Sequence, residues 1–327
     1  MLPSYLTSPD HTLPSCTFLT KLHAAAGQVM LDGHVSIKYW GPPNIYLPFE
    51  ALGFWYELLS IVKAKATWKS ALRWVGSTPS HKNKSLAAHV NSIIQSAFWG
   101  GLIPKLGHTV YVSQMAELLL TLLLSSSHMD AMLLCFCARY EEEVGHQSGK
   151  KITLFPTILF TQCLAYLASE DTVSLDQLLE NPVLSTIGNF VATSQQDFYI
   201  TTVAYWPENH WGFVMITISG GCVQAKWGDG LHKKVPLMLE RGIKLWSKRY
   251  LPQHIILVES RFPCASQTDS YFCGIVTMNA LKHHILGNLL WTGATREQHH
   301  IEQFLTCMEF CVNKQLLPLN GDMQAAS

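Results

Sequence analysis

The run HWGFVMITISGGCVQAKWGDG, residues 210–230, decides the fold. Gly212 to Ile218 and Val223 to Trp227 are rich in β-branched and aromatic residues, and Ser219-Gly220-Gly221 separates them. Two glycines between two strand patterns predict a tight hairpin. With Gly220 and Gly221 as the turn, Ser219 lies opposite Cys222, and Gly212 lies opposite Asp229. His210 then has Asp229 as its diagonal neighbour on one face, roughly 7 Å away along the backbone, close enough for an imidazole to meet a carboxylate. A bulge would shift that register. Taken singly, His210 is an ordinary polar residue at a strand start, and Asp229 is a turn former in Gly-Asp-Gly.

Working outward from the hairpin, strand signals recur at Phe198 to Tyr205 and His254 to Val258, with a short one within Lys150 to Phe155. Helical spacing appears between them. Phe54, Leu58, Ile61, Trp68, Leu72 and Val75 form one stripe from Pro48 to Val75, and further helices are predicted over Ala87 to Ala97, His128 to Tyr140 and Val235 to Tyr250. Pro156 to Leu179 holds one or two more. Ser125-Ser126-Ser127 supplies a cap for the helix that begins at His128, where His128 and Asp130 read as first-turn surface residues. Gly76 to Ser85 reads as an exposed linker, and residues 1 to about 40 carry too little pattern to predict structure. Strands and helices mixed in this way predict an α+β domain.

The composition narrows the function. The chain has 327 residues, of which 48% are hydrophobic and 14% charged, so it can bury a large core as one domain or two unequal ones. Its 23 basic and 23 acidic residues cancel, which gives nucleic-acid binding no electrostatic support. The most apolar run, Met115 to Leu124, is too short to span a bilayer, and the N-terminus lacks the pattern of a signal peptide. Nine cysteines without a C-x-x-C pair argue for reduced thiols, and so for the nucleus or cytoplasm. Cys135 and Cys137 face different sides of their helix. His300, Cys307 and Cys311 share one helical face, but Phe304 among them and the want of a fourth ligand favour packing over metal. No cofactor is expected.

One cysteine stands apart. Cys273 and Gly274 open a run with apolar residues at Ile275, Met278, Leu281 and Ile285, so Cys273 sits at a predicted helix N-terminus. Free backbone N–H groups and the helix dipole favour an anion there, which suits a nucleophilic sulfur. Gln267, six residues earlier, offers an amide donor for an oxyanion. A small apolar cysteine packing a core helix is the plainer reading of this stretch alone.

The ordered set of His210-Trp211, Trp227-Gly228-Asp229, Gln267 and Cys273-Gly274 resembles the ubiquitin-like-protein proteases, the SUMO-protease-like cysteine peptidases, most of all their divergent transposon-associated copies. The resemblance spans roughly residues 109 to 312. It implies a papain-like fold, with a central mixed or antiparallel sheet flanked by helices. Residues 1–108 would then be a helical extension and 313–327 a tail. It implies His210 as general base, Asp229 as its orienting carboxylate, Gln267 as oxyanion donor and Cys273 as nucleophile, with a ubiquitin-like protein or its conjugates as partner. Two positions depart from the pattern. Leu123 stands where the family has a tryptophan that, with the tryptophan of His-Trp (here Trp211), frames the passage for a Gly-Gly tail. Phe272 replaces an aspartate before the cysteine. A binding module that keeps the fold without the chemistry is the alternative expectation.

Overall fold

The computed structural model describes residues 14–39, 45–77, 84–97, 100, 101, 103, 110–120, 122–143, 152–169, 181–194, 196–206, 209–258, 262–267, 269 and 271–313. The chain divides into two compact units, residues 1–70 and 71–327. In the first, Ser15 caps α1 (Cys16–Leu31) by accepting the Phe18 N–H at 3.2 Å, and β1 (Ser36–Tyr39) pairs antiparallel with β2 (Ile45–Pro48). These pack with the first turns of α2 (Glu50–Ser77) around Leu19, Leu47, Leu52 and Trp55. The sequence reading left α1, β1 and β2 without structure. The reason is visible in α1, where Leu19 and Ala26 are the buried residues and so leave almost no apolar stripe.

The second unit is built on a five-stranded sheet in the order β3 (Ile152–Leu154), β4 (Phe198–Trp206), β5 (His210–Ser219), β6 (Cys222–Gly228), β7 (Ile255–Val258). The three central strands are antiparallel, while β3 and β7 each run parallel to their neighbour. The β5–β6 register runs from Ser219 opposite Cys222 to Phe213 opposite Gly228, as the glycine turn predicted. Gly220 and Gly221 hold φ of 56° and 73°, the left-handed region that suits glycine. No bulge intervenes between the turn and Asp229.

Helices cover both faces of this sheet, which is why β4 and β5 are buried along nearly their whole length. In chain order they are α3 (Lys84–Ser96), α4 (Val112–Met115), α5 (Ser126–Glu143), α6 (Ile158–Ser169), α7 (Pro182–Thr193), α8 (Leu237–Tyr250), α9 (Cys273–Leu286) and α10 (Arg296–Asn313). On one face Phe160 and Leu164 of α6, Leu184 of α7 and Trp246 of α8 pack against Trp206, Ile216 and Ala225. The approach of α6 to α8 is close, since a Cβ at Gly242 would lie 2.1 Å from the Leu164 carbonyl oxygen. On the other face α9 lies against β5, and Thr277 Oγ1 donates to the Trp211 carbonyl at 3.0 Å.

Several local expectations need correction. His128 and Asp130 are buried at 1% and 6% exposure, not surface residues. The His128 ring accepts the Ser125 N–H at Nδ1 (3.1 Å) and reaches the Gln114 carbonyl from Nε2 (2.8 Å). Asp130 accepts the Ile158 N–H at 3.0 Å. They tie α5 to α4 and α6, a role that spacing alone does not reveal. Helix α7 had no expectation, although Asn181 as cap and Pro182 at the first turn mark its start. Helix α3 packs on α10, where His89 Nε2 meets Glu309 Oε1 at 2.9 Å. The C-terminal tail from 314, the middle of the 76–85 linker and residues 170–180 lie outside the described residues.

Candidate active site

His210 is the first residue of β5, Asp229 follows β6 directly, and Cys273 is the first residue of α9, so three element ends meet. Side chains at such ends are aimed by a rigid scaffold. Asp229 is fixed before it meets the histidine. Its Oδ1 accepts the Leu231 N–H at 2.8 Å and its Oδ2 the Lys233 N–H at 2.6 Å, while its carbonyl accepts the His232 N–H at 3.0 Å. This turn places His232 at φ 56° and leaves Asp229 Oδ1 hydrogen-bonded to His210 Nε2. The pair is buried, at 3% exposure for His210 and 4% for Asp229.

Asp229 holds Nε2 of His210 and leaves the other ring nitrogen unengaged by it, and Cys273 is a neighbour that acts on the charge of the same imidazole. Burial pulls the His210 pKa down. The hydrogen bonds and charges of Asp229 and Cys273 outweigh that effect, and the imidazole is pushed up to about 9 from its ordinary 6.5. Burial likewise raises the Asp229 carboxyl, but the bonds from His210, Leu231 and Lys233 more than compensate, and the net shift is downward. Both directions favour an imidazolium facing a carboxylate.

Cys273 is 1% exposed at an uncapped helix start. No side chain caps α9, whose first helical hydrogen bond runs from Val276 N to Phe272 O at 2.9 Å. The loop before it is tightened by Asp269, whose Oδ1 accepts the N–H groups of Tyr271 (2.9 Å) and Phe272 (3.1 Å). Phe272 is clamped in turn, with the Arg296 guanidinium 5.0 Å from its ring centre and the His300 ring edge-on at 4.9 Å. Gln267 reaches this loop as well. Its N–H donates to the Gly230 carbonyl at 2.9 Å and its Nε2 to the Asp269 carbonyl at 2.5 Å, while its Oε1 is buried without a partner. The amide expected to face an oxyanion is therefore committed to a carbonyl on the approach to Cys273.

No family model matches the sequence, and no curated protein sequence matches it. Solved structures give fold likenesses at low identity. The catalytic domain of the Chaetomium thermophilum Ulp1-like SUMO protease is 14% identical, with 71% of this chain and 89% of that chain covered and a TM-score of 0.48. The C-terminal Ulp1 protease domain in complex with Smt3, the yeast ortholog of SUMO, is 12% identical over 72% of this chain and 96% of that one, with a TM-score of 0.45. The Xanthomonas campestris effector XopD bound to ubiquitin is 13% identical over 56% and 91%, with a TM-score of 0.36. The chemistry open to this chain is set by its own side chains.

The two expected passage residues do not face each other across an opening. Leu123 is exposed at 43%, but Trp211 is buried at 2%. Trp211 Nε1 donates to the Leu124 carbonyl at 2.8 Å, and the Tyr205 ring lies 4.7 Å from the indole centre. That hydrogen bond draws the indole under the chain. Tyr205, half-exposed and bonded through its hydroxyl to Asn209, presents the open aromatic surface instead. His300, Cys307 and Cys311 are all buried in α10. His300 Nδ1 lies 2.5 Å from the Leu118 carbonyl, and the free thiols of Cys307 and Cys135 are buried neighbours. That face is packed. The sequence reading gave no role to Asp269, whose turn-forming spacing ahead of Cys273 was a usable signal, and it did not place Trp206 beside His210, which needs the β4–β5 register.

Proposed function

We propose that the chain is a cysteine peptidase or isopeptidase that cleaves after the C-terminal tail of a ubiquitin-like protein. The observation that carries this reading is a single buried imidazole that bonds Asp229 through Nε2 and has the Cys273 thiol as a neighbour. In the reaction the Cys273 proton rests on His210, in keeping with the imidazolium that its raised pKa favours, and the sulfur attacks the scissile carbonyl as a thiolate. The C–N bond then breaks as His210 returns the proton to the leaving amine. A water molecule, deprotonated by the same imidazole, hydrolyses the thioester and frees the sulfur. The oxyanion would be met by the Cys273 backbone N–H at the uncapped helix start, with Gln267 turning from Asp269 as the second donor. The substrate class rests on the resemblance carried by His210-Trp211, Asp229, Gln267 and Cys273-Gly274. Leu123 and Tyr205 would flank the tail, with Trp211 supporting Tyr205 from beneath. All nine cysteines are free thiols, in keeping with a role in the nucleus or cytoplasm.

A binding module is the second reading, and the burial of both Cys273 and Trp211 favours it. One experiment separates the two. The purified chain is incubated with a ubiquitin-like protein carrying an electrophile at its C-terminus, alongside Cys273→Ala. A covalent adduct lost in Cys273→Ala supports the peptidase. Stable binding without an adduct supports the module.

A further inference from the structure

Trp206 stands directly opposite His210 across the β4–β5 ladder. Opposed residues on antiparallel strands project to one face at short range, and the two rings meet with centres 5.8 Å apart at 62°. The indole reaches beyond His210 and lies across Gly212, where a built Cβ would fall 1.8 Å from Cη2 and 1.9 Å from Cζ3 of Trp206. Any larger residue at 212 would displace the indole. The imidazole is thus held by Asp229 at Nε2 and has Trp206 against the ring, with Cys273 among its neighbours.

We propose that Trp206 is the positioning residue for His210, and that residue 212 is glycine to give the indole its place. A bond at Nε2 fixes one atom of the ring but leaves it able to swing about that atom. Contact with a rigid aromatic surface removes that freedom, and it keeps water from the His210–Asp229 bond. Trp206 is also part of the core beneath β5, so the test must separate placement of the base from loss of packing.

The inference rests on the pairing of His210 with Cys273 and not on any substrate, so a chemical probe reads it. The rate of Cys273 alkylation by iodoacetamide is measured against pH in the full chain, with thermal unfolding in parallel, for the parent, His210→Ala, Trp206→Phe, Trp206→Leu and Gly212→Ala. Trp206→Leu and Gly212→Ala should slow the reaction at neutral pH and move its profile toward that of His210→Ala. Trp206→Phe, which keeps a flat ring, should recover most of the parent profile. A Trp206→Leu protein that is less stable but keeps the parent profile overturns the proposal and leaves Trp206 as packing alone. Should Gly212→Ala fail to fold, Trp206→Leu decides. A parent profile identical to that of His210→Ala overturns the pairing itself, and the proposal with it.

Discussion

At Asp229 a single atom decides the state of the base. Its Oδ1 accepts from His210 Nε2 and also from the Leu231 N–H, so Nε2 keeps its proton and the other ring nitrogen is left to exchange one with the thiol. Asp229→Asn keeps the shape of the turn but can present an N–H to the ring, which reverses the tautomer. Turnover should fall on the order of 10²- to 10⁴-fold with the unfolding midpoint little changed, as steady-state kinetics and thermal melts would show. An equal loss of stability and activity would mean that the carboxylate only holds the loop. For Gln267 the committed amide sharpens the expectation, because its oxyanion contact must form as the reaction proceeds. Gln267→Ala should lower kcat about 10²-fold with little effect on KM, and a change confined to KM would place it in substrate contact instead. The proximity of His210 and Asp229 was legible from the sequence because the glycine turn fixes a register, and register is arithmetic. The bond between Gln267 and Asp269, and the burial of Trp211, were not. Both depend on where a side chain turns after the backbone is set, and no periodicity encodes that.

Among the elements, those with a strong period were legible, and those held by tertiary contacts were not. The hairpin, α8 and α9 announced themselves, whereas α1 has no stripe; α7 was passed over although Leu184, Ile187 and Val191 line its inner face. The packing of α6 on α8 shows how a helix can depend on a residue that spacing analysis passes over. With the Leu164 carbonyl 2.1 Å from where a Cβ would sit, Gly242→Ala cannot be absorbed by a side-chain rotation, since the obstacle is backbone. The helices must separate, and overpacking of this kind costs about 1 to 3 kcal/mol or more. Urea denaturation should show a lower midpoint for Gly242→Ala, while Cys273 alkylation in the folded protein stays at the parent rate. An unchanged midpoint would mean that the two helices slide apart freely.

For the molecule as a whole, buried histidines pull stability in opposite directions with pH. His210 has a folded pKa of about 9, above its ordinary 6.5, so its contribution is complete below about pH 6.5 and lost as pH rises toward 9. His128 and His300 are held below 6.5, chiefly by burial. They stay neutral in the fold while the unfolded chain takes up protons, so stability falls as pH drops below about 6.5. The unfolding temperature should therefore peak near pH 6.5 and decline on both sides. His210→Ala should flatten the alkaline side and spare the acid side, and a parent melting temperature constant from pH 5 to 9 would refute the balance.

The hairpin that carries His210 and Asp229 also sets an order of events during folding. The two residues are 19 apart in sequence, joined by a turn that needs no other part of the chain, and hairpins close in roughly 1 to 10 μs. Cys273 lies far downstream on a helix that is buried on all sides and must wait for the sheet to receive it. The base and its carboxylate can thus meet early, and the sulfur joins them last. On a ribosome, a chain that has emerged through residue 230 can bring His210 and Asp229 together before Cys273 is available to them. On the proposed chemistry, the thiol meets its base only when the fold is complete.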